Sequence, residues 1–164
     1  MTPISHSEHT PRVAFFAGSF RPFTTGHASI VTRGLDIFDR IVVGVGVNAS
    51  KPDDRKHAET AARAIREVFA SCGRVDVITY DDLTVDAAAR CGACALLRGV
   101  RSTRDFDYER DLADVNRQLS GIETVLLYSL PELAAVSSSI VRELASYGRD
   151  VESFLPKPSD SFKQ

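Results

Sequence analysis

Tryptophan is absent from this 164-residue chain, methionine occurs once and cysteine three times. So few cysteines exclude a disulfide-stapled scaffold. No apolar run approaches the roughly 18–20 residues that a membrane-spanning helix needs. An excess of either charge is also missing: 20 basic against 22 acidic residues give a formal net charge of -2. Nothing global therefore attracts nucleic acid or an anionic membrane, and any anion site must be built from local charge and backbone donors. The first residues, Met1 to Pro11, lack the apolar stretch of a signal peptide and read as a disordered leader. These absences point to the cytoplasm. Cys91 and Cys94 form a Cys-x-x-Cys pair without a second pair or a His-x-x-His partner. That spacing fits a helix end followed by a strand start, with small buried thiols, better than a redox or zinc pair.

What is present is an ordinary globular composition, 43% hydrophobic and 26% charged, at a length that suits one domain. Short β-branched, apolar runs occur at Arg12–Ala17, Ile41–Val47, Val75–Thr79, Ala95–Leu97 and Thr124–Tyr128. Between them, apolar residues recur at helical spacing: Ile30, Val31, Leu35 and Phe38; Ala61, Ala62, Ile65 and Phe69; Val85, Ala88 and Ala89; Leu112, Val115 and Leu119; Ile140, Val141 and Leu144. Apolar runs without alternation suit strands covered on both faces, as in a parallel sheet. This rhythm predicts a single doubly wound α/β domain over residues 12–156, followed by a flexible tail at 157–164 rich in Pro, Ser and Lys.

In such sheets ligands sit where loops leave the carboxyl ends of the strands, and the unusual residues of this chain fall in those loops. The first run leads into Gly18-Ser19-Phe20-Arg21-Pro22-Phe23-Thr24-Thr25-Gly26-His27. A helix start supplies free N–H groups and a positive dipole end suited to phosphate, to which His27 would add a donor. A capped helix start, with Thr24 or Thr25 as N-cap and His27 exposed, accounts for the same residues equally well. Arg98, Arg101 and Arg104 follow the fourth run, and Arg is the preferred bidentate partner of phosphate. Lys51, after the second run, could reach an anion or be an ordinary exposed lysine. Ser137, Ser138 and Ser139 open the last helix, where capping alone would explain them.

The stretch from Gly18 to His27 resembles the Thr/His-x-Gly-His signature of the nucleotidyltransferase superfamily. Within it, Arg98-Gly99-Val100-Arg101 with Asp105-Phe106-Asp107-Tyr108-Glu109, and Val136-Ser137-Ser138-Ser139, resemble the phosphopantetheine adenylyltransferases, over about Val13 to Pro156. That resemblance implies a Rossmann-like five-stranded parallel sheet with helices on both faces, assembled as a homohexamer. It implies transfer of the adenylyl group of ATP to 4'-phosphopantetheine, giving dephospho-coenzyme A and pyrophosphate, with Mg2+ accompanying ATP. No metal ligand in the protein, no nucleic acid and no membrane are expected. His27, Lys51 and Arg98 would be the catalytic set: His27 stabilises the pentacovalent transition state, and Lys51 and Arg98 hold the phosphopantetheine phosphate. Ser19 would contact both substrates, with Phe20 beside it on the nucleotide side. Thr84 would line the pantetheine arm. Gly99, Val100, Arg101 and Glu109 would lie around ATP, and Leu133, Ala134, Ala135, Val136, Ser137, Ser138 and Ser139 would close over it.

Three positions depart from the family pattern. Arg21 stands where the family usually has Asp, a charge reversal expected beside the triphosphate site. Pro52-Asp53-Asp54-Arg55-Lys56-His57 replaces a short apolar segment, and Leu133 takes the place of an aromatic residue. The competing readings are a nicotinate-nucleotide adenylyltransferase or cytidylyltransferase of the same superfamily, disfavoured by the Arg98 to Glu109 stretch, and a non-catalytic nucleotide-binding module, for which Arg21 is the sole hint. A phosphate anion as nucleophile needs no strong base, and no Ser-His-Asp arrangement is present.

Overall fold

Alternation along the first strand, β1 (Val13–Gly18), divides the core in two. Ala14 and Phe16 point into one apolar cluster with Ile30, Val31, Ile41, Val43, Ala62, Ile65 and Leu97. Phe15 and Ala17 point into the other, with Val42, Val85, Ala88 and Leu96. A strand covered on both faces must be apolar throughout, which is why its sequence shows no alternation. The computed structural model describes residues 10–158; the expected leader and tail therefore lie almost wholly outside the described residues.

Four further strands follow: β2 (Arg40–Gly46), β3 (Val75–Tyr80), β4 (Ala95–Val100) and β5 (Glu123–Tyr128). They alternate with helices α1 (Thr25–Gly34), α2 (Asp54–Val68), α3 (Thr84–Arg90), α4 (Thr103–Ser120) and α5 (Ser138–Ser146). All pairings are parallel, in the order β3-β2-β1-β4-β5. The chain builds outward from β1 to β3, then returns to β1's other side with β4, so the strand order switches between β1 and β4. In open α/β sheets that switch opens the crevice where ligands bind. The expected five-stranded parallel sheet with helices on both faces is the observed fold.

Three expectations need correction. The fourth strand does not stop at Leu97 but runs on to Val100, because Arg98 has an ion-pair partner and Gly99 lets Ile30 approach. A Cβ on Gly99 would stand 2.9 Å from Ile30 Cγ1, so helix α1 can pack this closely only against glycine. The apolar spacing on α4 does not mark a buried face: Val115 and Leu119 are exposed, and Glu109 is that helix's buried residue. Cys91 caps α3 and Cys94 precedes β4, yet Cys94 is exposed rather than buried. No helix among the described residues is long and apolar enough to cross a membrane.

Candidate active site

The crevice between the carboxyl ends of β1 and β4 is a cavity of about 390 Å3. Its floor is Ala17 and Gly18 on one side and Arg98 and Gly99 on the other, and its walls include Ser19, Phe20, His27, Arg101, Tyr108 and Ser137 to Ser139. Three sequence segments, at 16–30, 98–109 and 129–139, thus meet as the switch in strand order requires.

His27 is placed by the start of its own helix. Thr24 is the N-cap: its hydroxyl accepts the His27 backbone N–H at 3.5 Å, and its own N–H donates to His27 Nδ1 at 3.0 Å. This is a capping box with histidine in place of the usual Glu or Gln. A backbone N–H can only donate, so Nδ1 carries no proton and Nε2–H is the free donor. Phe23 stacks on the imidazole with ring centroids 5.4 Å apart, and Phe20 meets it edge-on at 5.2 Å. Burial, then the charges of Arg101 and Arg98, lower its pKa to about 4. The ring is a neutral donor at ordinary pH and not the exposed histidine of the capping alternative.

Phe20 can occupy its place because Gly18 has no side chain: a Cβ there would lie 2.7 Å from the Phe20 ring. Phe20 itself has φ 47, in the left-handed region that non-glycine residues rarely adopt. Such strain at a loop bordering a cavity is characteristic of functional sites.

Arg98 is half-buried and fully oriented. Its Nε and one terminal nitrogen grip the Glu109 carboxylate at 2.8 and 2.7 Å, and the other terminal nitrogen donates to the Ala17 carbonyl at 2.6 Å. Glu109 is 7% exposed, so this pair is a built part of the floor. Arg101 is tied similarly to Asp105, at 3.0 Å from Nε. Both arginines keep unused N–H groups beside the cavity. Sequence reasoning placed Arg98 and Glu109 around different substrates; the structure joins them. It also missed Asp105 as a lining residue, although its four-residue spacing from Arg101 was a readable signal.

Arg98 and Ala17 also border a second hollow, of about 260 Å3, formed by Leu83, Thr84, Val85, Leu112, Val115 and Leu119. Thr84 is held there by the Tyr80 hydroxyl at 2.9 Å. The two cavities thus share Ala17 and Arg98 in their walls.

The remaining positions divide. Ser137 caps α5, accepting the Ile140 N–H at 3.2 Å, while the Ser138 hydroxyl donates to the Pro22 carbonyl at 2.8 Å. The last helix is thereby fixed to the β1–α1 loop, with Val136 and Ser139 also at the cavity. Leu133, Ala134 and Ala135 do not line it, and neither does Val100, which is 2% exposed. Lys51 is on the exposed β2–α2 loop outside the cavity, as is Arg104 on the first turn of α4.

Arg21 does not project beside the phosphate cavity as expected. It borders an apolar cavity of about 600 Å3 on the opposite side of the loop and pairs with Asp54. Asp54 is 4% exposed, and its other oxygen accepts the Asn48 N–H at 2.5 Å. The Asn48 amide above all, against the cost of burial and aided by Arg21 and Lys51, holds this carboxyl below the usual carboxylate range. Sequence reasoning did not single out Asp54 as the partner of Arg21, and their distance along the chain gave no signal.

The carboxylates at the cavity, Asp105 and Glu109, are each committed to an arginine. Among the described residues no group of three or more His, Cys, Asp or Glu side chains could hold a metal ion. The arrangement suits an anionic ligand: donors from His27, Arg98, Arg101 and the serines of α5 converge on the cavity.

The cytidylyltransferase-like family matches residues 15–144. The phosphopantetheine adenylyltransferase of Porphyromonas gingivalis is 52% identical over 145 residues, 88% of this chain and 94% of that protein. The enzyme of the same name from Bacteroides thetaiotaomicron is 44% identical over 146 residues, 89% of this chain and 96% of its own. In three dimensions the chain is similar to a bifunctional NMN adenylyltransferase/ADP ribose pyrophosphatase from Francisella tularensis, with a TM-score of 0.66 and 12% identity. That match covers 92% of this chain and 46% of the bifunctional one, a likeness of fold alone.

Proposed function

This chain belongs to the cytidylyltransferase-like family and, within it, to the phosphopantetheine adenylyltransferases, and from that premise we propose how its residues divide the work. It is a nucleotidyltransferase that transfers the adenylyl group of ATP to 4'-phosphopantetheine, releasing pyrophosphate and giving dephospho-coenzyme A. The observation that carries the division is that Arg98 lines two neighbouring cavities at once. One is polar and borders His27, Arg101 and the serines of α5; the other borders Thr84 and apolar side chains of α3 and α4.

ATP occupies the first cavity, against Ser19, Phe20, Gly99, Arg101 and Ser137 to Ser139. The pantetheine arm lies in the second, along Thr84. The acceptor phosphate then sits between them, beside Arg98, with Lys51 approaching from the rim. A phosphate oxygen attacks the α-phosphorus as the bond from that phosphorus to the bridging oxygen breaks and pyrophosphate leaves. The attacking group is already an anion, so the chain's work is to align two anions and neutralise the developing charge. His27 Nε2–H and the first amides of α1 supply that stabilisation. Magnesium enters with ATP as the MgATP substrate. We assign the enzyme to the cytoplasm and the assembly to a homohexamer.

Steady-state kinetics test the division. Arg98→Ala is expected to raise KM for phosphopantetheine more than KM for ATP, with Arg101→Ala doing the reverse; equal losses for both substrates in both variants would show the division to be wrong. Because removing one partner of a buried ion pair commonly costs about 3–5 kcal/mol, Arg98→Lys and a thermal melt accompany the alanine variant.

A further inference from the structure

We propose that Arg21 is a positioning residue for the acceptor side of the reaction: it holds Asp54, and through it the turn from Asn48 to Lys51, against the β1–α1 loop. The inference rests on the reading that Lys51 serves the acceptor phosphate.

Arg21 is not itself a phosphate ligand, since it borders the apolar cavity behind the loop. Its guanidinium meets one oxygen of Asp54, and the other oxygen takes the amide of Asn48 at 2.5 Å. The turn beyond Asn48 is closed on itself. The Asn48 side chain accepts the Ser50 N–H at 3.0 Å, and its carbonyl accepts the Lys51 N–H at 3.0 Å. Displacing Asn48 therefore carries Lys51 with it. Asp54, as the first residue of α2, is also the acidic group of that helix's first turn.

The other end of the connection is anchored. The Arg21 carbonyl accepts from Arg142, the Pro22 carbonyl accepts from Ser138, and both donors belong to α5. A continuous path of hydrogen bonds, through side chains and backbone groups alike, thus runs from α5, over the nucleotide-side loop, through Arg21, Asp54 and Asn48, to Lys51. Asp54 is buried, so its charge must have a partner on the protein. Without Arg21 that buried carboxylate is held only by the Asn48 amide, and the lost constraint falls on the Lys51 turn. Helix α1, with its Thr24–His27 capping box, stands outside this path and keeps its own bonds.

The test is a double-mutant cycle read by KM, kcat and amide exchange. Losing a hydrogen bond to a charged group commonly costs about tenfold in an equilibrium. Arg21→Ala is therefore expected to raise KM for phosphopantetheine by about tenfold, with kcat and KM for ATP changing less than about threefold. Asp54→Ala should do the same, and the double variant should be no worse than either single one, since both cut one path. Arg21→Lys should restore KM, because only one guanidinium nitrogen touches Asp54. The Asn48 amide should exchange faster in Arg21→Ala while the Phe16 and Leu97 amides do not. Equal rises in both KM values, or additive losses, would overturn the positioning role. So would an unchanged Asn48 exchange rate, which decides the matter whatever the wild type synthesises. A wild type that forms no dephospho-coenzyme A would instead overturn the functional reading.

Discussion

His27 works as a neutral donor because the Thr24 amide occupies Nδ1 and burial beside Arg101 and Arg98 disfavours a second proton. Replacing it with alanine should leave ATP binding in place and lower kcat by about a hundredfold or more, the usual loss when one transition-state donor is removed; single-turnover rates with bound ATP check this. The folded-state pKa of about 4 lies below the 6.5 of an ordinary histidine. Between those values the unfolded chain takes up a proton that the folded chain refuses, so this group's contribution to stability falls as pH drops through that window. An NMR titration of the ring should place its midpoint near 4, and a midpoint near 6.5 would refute the tautomer and its environment together. At this scale the sequence was readable where a residue acts through its own helix turn, as His27 does through Thr24. It was silent where the partner is distant, as with Arg21 and Asp54, whose pairing depends on how two loops meet.

Helix α1 and its preceding loop form one unit, in which capping, ring packing and strain are shared. Thr24→Ala removes the side-chain half of the capping box and should cost about 1 kcal/mol in a denaturant melt, together with a fall in kcat. Gly18→Ala brings a Cβ within 2.7 Å of the Phe20 ring, and Phe20 is edge-on to His27. A displacement of about 1 Å at a reacting group can cost about a hundredfold. This variant should therefore lose turnover out of proportion to its loss of stability; a loss of stability with normal kcat would show that Phe20 does not set the position of His27. The serine-led start of α5 was legible as a cap, whereas its bond from Ser138 to Pro22 belongs to the tertiary fold. Strand β4 was cut short in the sequence reading because a charged residue seldom continues a buried strand, and Glu109, on the following helix, is what permits it.

For the whole molecule, the alternation of apolar runs and helical spacing was sufficient to give the doubly wound sheet, because each strand buried on both faces is apolar without alternation. The order β3-β2-β1-β4-β5 places the crevice between β1 and β4, and the family motifs fall at its rim. The apolar spacing on α4 misled as to burial, since Val115 and Leu119 face outward in one chain. If the proposed homohexamer forms, light scattering should give about six times the 17.9 kDa of the chain. The central claim, adenylyl transfer to phosphopantetheine at this crevice, is tested most directly by product identity. Incubated with MgATP and 4'-phosphopantetheine, the protein should form dephospho-coenzyme A and pyrophosphate in equal amounts by mass spectrometry and phosphate assay, and the His27→Ala variant should form neither at a comparable rate. Pyrophosphate release without the acceptor, or an undiminished yield from His27→Ala, would contradict it.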